Sequence, residues 1–366
     1  MTPTISEITS HLENLAPPSL QEPYDNAGLL TGKPEWLCTG VVCCLDAIEA
    51  VVDEAIEKQC NLIVAHHPII FSGIKKINGK NYVERTIIKA IKNDIALYAI
   101  HTNLDNVRSG VNEKMAAQLG LKNLNVLAPK AGQLKKLYFY VPASFAEDVM
   151  TALFKAGAGT IGNYSECSFS VAGTGTFKPG KAATPFSGQK NIRSQEPELK
   201  VEILFPAWLQ TTMTQTLKEN HPYEEVAYEI ITLENYHQDL GSGLTGELPV
   251  PLSAPEFLQK LKDSFGLKML KHTATNGKTI KKVALCGGAG SFLIKTAIAS
   301  KSDAYITSDI KYHEFFDAEN KILITDIGHY ESEQFTIELL ATHLEKKFPN
   351  FAVLKTGVNT NPVSYF

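Results

Sequence analysis

The sequence carries no excess of positive charge: 35 Lys and Arg stand against 39 Asp and Glu, a formal net charge of −4. No global field therefore draws the chain to polyanions, and nucleic acid is not expected as a partner. No segment approaches the ~18 consecutive apolar residues of a membrane span. The start, Met-Thr-Pro-Thr-Ile-Ser-Glu, lacks the basic-then-apolar pattern of a secretory signal. No membrane partner is expected. None of the six cysteines (Cys38, Cys43, Cys44, Cys60, Cys167, Cys286) forms a C-x-x-C pair. Adjacent Cys43 and Cys44 lie in an apolar run, where thiols serve as small buried hydrophobes, and the expected setting is reducing and cytoplasmic. Periodic repeats and low-complexity tracts are missing too, which removes solenoids and wholesale disorder.

What is present is an ordinary globular composition: 366 residues, 44% hydrophobic and 20% charged, with 25 Gly and 18 Pro. At ~100–200 residues per domain, two or three domains fit. Strand-like runs alternate with helical periodicity over residues 40–119: strands at 40–45, 61–65 and 95–100, helices at 47–58, 83–93 and 112–119. The alternation resumes with strands at 282–286, 304–307 and 322–325 and helices at 292–300, 315–320 and 335–347. The expected class is α/β, a mainly parallel-sheet layered domain. Residues 134–240 break the pattern and read as β-α-β-β-α-β, a ferredoxin-like α+β insertion. Gly241-Ser-Gly243 reads as a hinge out of it. The division is thus 1–132 with 241–366 for the outer domain and 133–240 for the insertion.

Three strand-to-helix junctions supply metal-type side chains. His66 and His67 follow the apolar run Asn61 to Ala65, and in α/β sheets ligands gather at the carboxyl ends of strands. His101 and Asp105 leave the next strand. His329 and Glu333, four apart, share a face if a helix begins there. Each set also has a plain reading: loop hydrogen bonds, a turn before Ser109-Gly110, an ordinary helix surface. Together, three His, one Asp and one Glu exceed the three ligands of a simple catalytic zinc and suit two ions sharing a carboxylate. Such ligands accept Zn, Mn, Fe, Co or Ni alike.

Further motifs divide between chemistry and architecture. Cys286-Gly-Gly-Ala-Gly290 is neither a P-loop nor G-x-G-x-x-G and reads as a tight turn. Thr307-Ser308-Asp309, with Lys311 and His313, leaves another strand end, either contributing substrate contacts and proton transfer or capping a helix. His221-Pro-Tyr-Glu-Glu225 reads as a helix stop.

Tyr24-Asp-Asn-Ala-Gly-Leu-Leu-Thr-Gly32, Ala65-His-His-Pro68, His101-Thr-Asn-Leu-Asp105, Thr307-Ser-Asp-Ile-Lys-Tyr-His313 and Gly328-His-Tyr-Glu-Ser-Glu333 together resemble the Nif-three-like dinuclear metal centre family, the type 2 GTP cyclohydrolase I homologues. The resemblance spans essentially the whole chain. Tyr24 stands where that family commonly has Trp, and Ser308 where it commonly has Gly. The resemblance implies a homohexameric toroid with two divalent ions per subunit, held by His66, His67, Asp105, His329 and a bridging Glu333. It also implies that the middle segment is similar to PII and CutA proteins. The expected activity is metal-dependent hydrolysis of a nucleotide or phosphorylated small molecule, with His101 and His313 as proton-transfer candidates. The alternative is a non-enzymatic, metal-holding regulatory toroid whose insertion binds an effector.

Overall fold

A computed structural model describes residues 2–275, 277 and 279–366. The chain forms two compact units, Met1–Ala128 with Asp239–Phe366, and Pro129–Gln238.

In the first unit, the strands Val41–Asp46 and Leu62–His67 are almost wholly buried apolar runs, as strands covered on both faces must be. They lie in a five-stranded sheet of order Gly28–Thr31, Ala96–Ala99, Leu62–His67, Val41–Asp46, Val353–Lys355. All neighbours in it are parallel except the edge strand Gly28–Thr31. The helix Glu49–Glu57 buries Val51, Val52 and Ala55, and Tyr82–Lys92 starts where the Asn81 side chain accepts the Glu84 N–H at 2.9 Å.

The second sheet of this unit is mixed. Its order is Lys271–His272, Leu323–Asp326, Ala304–Ser308, Thr279–Ala289, Gly241–Ser253, Lys122–Pro129. Thr279–Ala289, Ala304–Ser308 and Leu323–Asp326 run parallel, while Gly241–Ser253 and Lys271–His272 pair antiparallel to their neighbours. The expectation of a mainly parallel sheet thus holds for the strands of the alternating β/α runs and not for Gly241–Ser253 and Lys271–His272, which pair antiparallel. Gly241-Ser-Gly243 is no hinge but the start of a 13-residue strand. Pairing of Leu244 with Leu285 and Thr245 with Ala284 holds the strand, and Gly243 enters it at φ 66°, a left-handed conformation open to glycine. The short helix expected at 315–320 is a 3₁₀ turn, Tyr312–Ala318.

The second unit has one antiparallel sheet of order Ser168–Phe177, Ser194–Pro206, Leu134–Pro142, Tyr228–Thr232. Helices Ala146–Lys155 and Gln210–Asn220 pack Val149, Leu153, Met213 and Leu217 onto Leu137, Phe139, Val201, Ile203 and Phe205 of one sheet face. Among the described residues no helix is long and apolar enough to cross a membrane.

Candidate metal centre

Parallel strands bring their carboxyl ends to one edge, so residues far apart in sequence meet there. In the first sheet these ends carry Asp46, His67 and, just beyond Ala96–Ala99, His101. In the second they carry Gly287 and Gly288, Asp309, and the short helix His329–Glu333. His67, His101, Gly287, Gly288, His329 and Glu333 line one cavity of about 660 Å³, together with Glu22, Tyr24, Phe71, Asp105, Asn112 and Phe292 among others, while Asp46 and Asp309 stand behind the histidines, off its lining.

Four imidazoles meet there with the same orientation. His66 Nδ1 donates to Ile100 O at 2.8 Å, His67 Nδ1 to Asp46 Oδ1 at 2.8 Å, His101 Nδ1 to Asp25 Oδ1 at 2.7 Å, and His329 Nδ1 to Asp309 Oδ2 at 2.6 Å. An acceptor on Nδ1 fixes the tautomer and leaves Nε2 with its lone pair for a metal, the arrangement found behind metal-bound histidines.

Glu333 sits among these nitrogens, 3% exposed. Its Oε2 is 2.9 Å from His67 Nε2 and 3.1 Å from His329 Nε2, and its Oε1 lies 3.8 Å from His66 Nε2. Asp105 Oδ1 is 3.7 Å from the same His66 nitrogen. The carboxylate thus divides its oxygens between two donor groups, one with His66 and Asp105, the other with His67 and His329. The two His Nε2 atoms of the second group are 3.3 Å apart. His66, His67 and Glu333 offer ligand atoms all within 4.8 Å of one another.

The residues fit a bound cation on independent grounds. His66 Nε2 and Asp105 Oδ1 are buried and make no hydrogen bond, a costly state unless something of opposite character sits between them. Burial, then the charge of Glu333, push the Asp105 carboxyl up to about 7. Burial opposes a charge on His67, but hydrogen bonds to Asp46 and Glu333 outweigh it and lift the ring to about 9. Burial also works against ionised Glu333, yet the neighbouring His329 charge and the histidine hydrogen bonds hold it well below the usual carboxylate range. The cluster holds protons, between carboxylates and imidazoles, that a divalent ion can replace.

The glycine turn has a structural part in this. Gly288 adopts φ 61°, and a Cβ there would stand 2.4 Å from Glu333 Oε1, so a side chain would collide with the carboxylate. The N–H groups of Gly287 and Gly288 donate to Asn112 Oδ1 and Ser332 Oγ, both at 3.0 Å, the latter bond bracing the helix that carries Glu333. Ser308 does not disturb the next turn: it lies in a strand, buried, its Oγ donating to Gly288 O at 2.6 Å, and the left-handed residue is Asp309 at φ 55°.

Of the seven residues singled out in the sequence, the fold gathers His66, His67, His101, Asp105, His329 and Glu333. His313 is left out. It is exposed on the Tyr312–Ala318 turn, stacked on Phe316, and does not line the cavity. Of the orienting carboxylates, Asp25 and Asp46 were not singled out, and Asp309 only within a motif read as giving substrate contacts and proton transfer or capping a helix. Asp25 and Asp309 stand inside runs already quoted, and Asp46 ends a strand beside the one that carries His67; for Asp46 and Asp309, position at a strand end was the signal.

The sequence model of the family described as Duf34/NIF3 (NGG1p interacting factor 3) matches residues 3–362. A "GTP cyclohydrolase 1 type 2 homolog" of Bacillus subtilis is 38% identical over 365 residues, 98% of each chain. One of Halalkalibacterium halodurans with the same description is 37% identical over 358 residues, 96% of each chain. A Bacillus cereus protein related to NIF3 superimposes with a TM-score of 0.90 at 36% identity, covering 100% of both chains.

Proposed function

Because the chain belongs to the Duf34/NIF3 family, we propose that it is a dinuclear metal protein and a metal-dependent hydrolase of nucleotides or phosphorylated small molecules. The observation that carries this reading is the split of the Glu333 oxygens between two donor groups. His66 and Asp105 would hold one ion, His67 and His329 the other, and Glu333 both. A pair of divalent ions supplies Lewis acidity and an acidified water to hydrolysis. His101, held by Asp25 with its ring 5.4 Å from those of His66 and His67, moves a proton at its free nitrogen. Asp25 is itself pinned, its Oδ2 accepting the Thr102 N–H at 3.0 Å and the Thr102 hydroxyl. Tyr24, Phe71 and Phe292 form an aromatic wall of the cavity for a ring-bearing substrate.

The assembly is taken to be a homohexamer of the cytoplasm, with free cysteines that are mostly buried. The second unit is taken as a ferredoxin-like insertion of the PII and CutA kind, on the support of its antiparallel strand order and paired helices. A metal-holding regulatory role without turnover is favoured by one feature. Among the described residues no Lys or Arg lines the cavity, so a polyphosphate finds no side-chain cation there.

The test is a screen of metal-loaded protein against GTP, other nucleotides and phosphoesters, beside Glu333→Ala. Turnover that needs metal and vanishes in the variant supports the hydrolase. Turnover that the variant retains comes from a contaminant, and no turnover across the panel leaves the regulatory role.

A further inference from the structure

The second unit has a site of its own. Its helices cover one face of the sheet; strand alternation turns Tyr138, Tyr140, Glu198, Lys200 and Glu202 to the other. Over that face, the chain from Phe177 to Ser187 folds back and bounds an open-mouthed cavity of about 740 Å³, within the size range of small-molecule sites.

The floor is glycine. Nothing lies within 4 Å of where a Cβ of Gly173 would stand, whereas one on Gly175 would be 2.1 Å from Glu198 Oε2. Side chains at these positions would fill the cavity or expel the carboxylate. Glu198 is only 9% exposed. Its Oε1 accepts from Tyr223 Oη at 2.8 Å, and burial together with this carboxylate raises the Tyr223 phenol above its usual range. No described cation forms an ion pair with Glu198. Lys200, the nearest along the strand, directs its ammonium at Glu202 Oε1, 3.6 Å away, and over the Tyr138 ring at 4.5 Å.

His221-Pro-Tyr-Glu-Glu225 builds the wall. His221 accepts the Tyr223 N–H on Nδ1 at 3.1 Å and donates from Nε2 to Tyr140 O at 2.9 Å. With both nitrogens committed the ring is neutral and offers Glu198 no counter-charge, and burial lowers its pKa further. The motif therefore does more than stop a helix: it fixes Tyr223 against Glu198. Phe186 lies 5.9 Å and Phe177 6.4 Å from the Tyr223 ring, centroid to centroid. Glu225 and Glu224 also line the cavity, the latter accepting the Thr184 N–H at 2.8 Å; Lys178 and Lys200 are on the lining as well, neither ion-paired with Glu198.

A mostly buried carboxylate without a cation, walled by three aromatic rings, is complementary to positive charge on an apolar body. We propose that this cavity binds a small organic ammonium ion carrying an apolar or aromatic group, with Glu198 as its counter-ion and Phe177, Phe186 and Tyr223 as its walls.

Calorimetric titration of the full-length protein with phenethylammonium, 2-phenylethanol and 3-phenylpropionate compares one body with three charges. The ammonium should bind at least about tenfold more tightly than the alcohol, and the carboxylate most weakly. Glu198→Gln keeps the shape and the Tyr223 acceptor and should bring the ammonium down to the alcohol. Phe186→Ala removes a wall and leaves the carboxylate, and should weaken ammonium and alcohol together. Circular dichroism establishes folding of both variants. Equal affinity for the three probes, no ammonium binding at millimolar concentration, or unchanged binding in either folded variant overturns the proposal.

Discussion

Asp46 holds His67 from behind: the His67 Nδ1–H donates to Asp46 Oδ1 at 2.8 Å, while Asp46 Oδ2 accepts from Thr360 Oγ1 at 2.8 Å. One carboxylate, itself tied to the C-terminal segment, therefore sets both the tautomer and the direction of a candidate ligand. Orienting partners of this kind change metal affinity by about 10–100-fold when removed. Asp46→Asn should weaken one ion by that order, and Thr360→Val less, with Thr360→Ser restoring wild-type affinity. Competition with a chromophoric chelator measures it. Unchanged affinity in Asp46→Asn would show that His67 is not a ligand.

Glu333 differs from a terminal ligand because its oxygens face both donor groups. Glu333→Ala removes an oxygen ligand and a negative charge from between two cations, so both ions should be lost under limiting metal. His329→Ala removes one neutral nitrogen and should leave the other ion bound. Elemental analysis of folded protein reads this directly, and two ions retained in Glu333→Ala contradict the bridge.

Protons compete with metal at the same atoms. With its neighbours ionised, His67 is raised to about 9; the charge of Glu333 and hydrogen bonds to Asp309 and Glu333 raise His329 to about 11 against the opposing effect of burial. Asp105 is raised to about 7. A raised pKa means that the proton persists to higher pH, so affinity should climb as pH rises through 7 and 9, and binding at pH 7 should release about two protons per subunit. Titration in two buffers of different ionisation enthalpy counts them. Release near zero would mean that the histidines are already neutral.

The second unit, Pro129–Gln238, has its own buried core, and every residue of the metal cluster lies outside it. Replacing it by a short flexible linker from Ala128 to Asp239 should leave a folded protein with wild-type metal content. A folded deletion protein that binds no metal would place part of the metal site within the removed segment.

The local pattern of the chain sufficed for much of this. Asn61 to Ala65 is apolar and β-branched, so a strand there, with His66 and His67 at its end, follows from composition and period alone. The same holds for His101 after Ala96–Ala99 and for His329 and Glu333 one turn apart. Which junctions face one another was not legible, because that depends on pairing between distant strands. Asp46 meets His67 by parallel pairing across 21 positions, and Glu333 reaches His67 across 266. His313 shares a motif with Asp309, yet the turn at Tyr312–Ala318 carries it into solvent while Asp309 stays on His329. Gly241-Ser-Gly243 looked like a hinge because glycine is locally free, and became the start of a strand whose residues from Leu244 on pair with Thr279–Ala289. Likewise a helix stop was all that His221 to Glu225 could signal, since Glu198 comes under Tyr223 only when the sheet forms. Sequence periodicity determined the elements and the kinds of ligand at their ends; the tertiary structure decided which of those ends share a site, because side chains far apart in the chain interact only where backbone pairing brings them together.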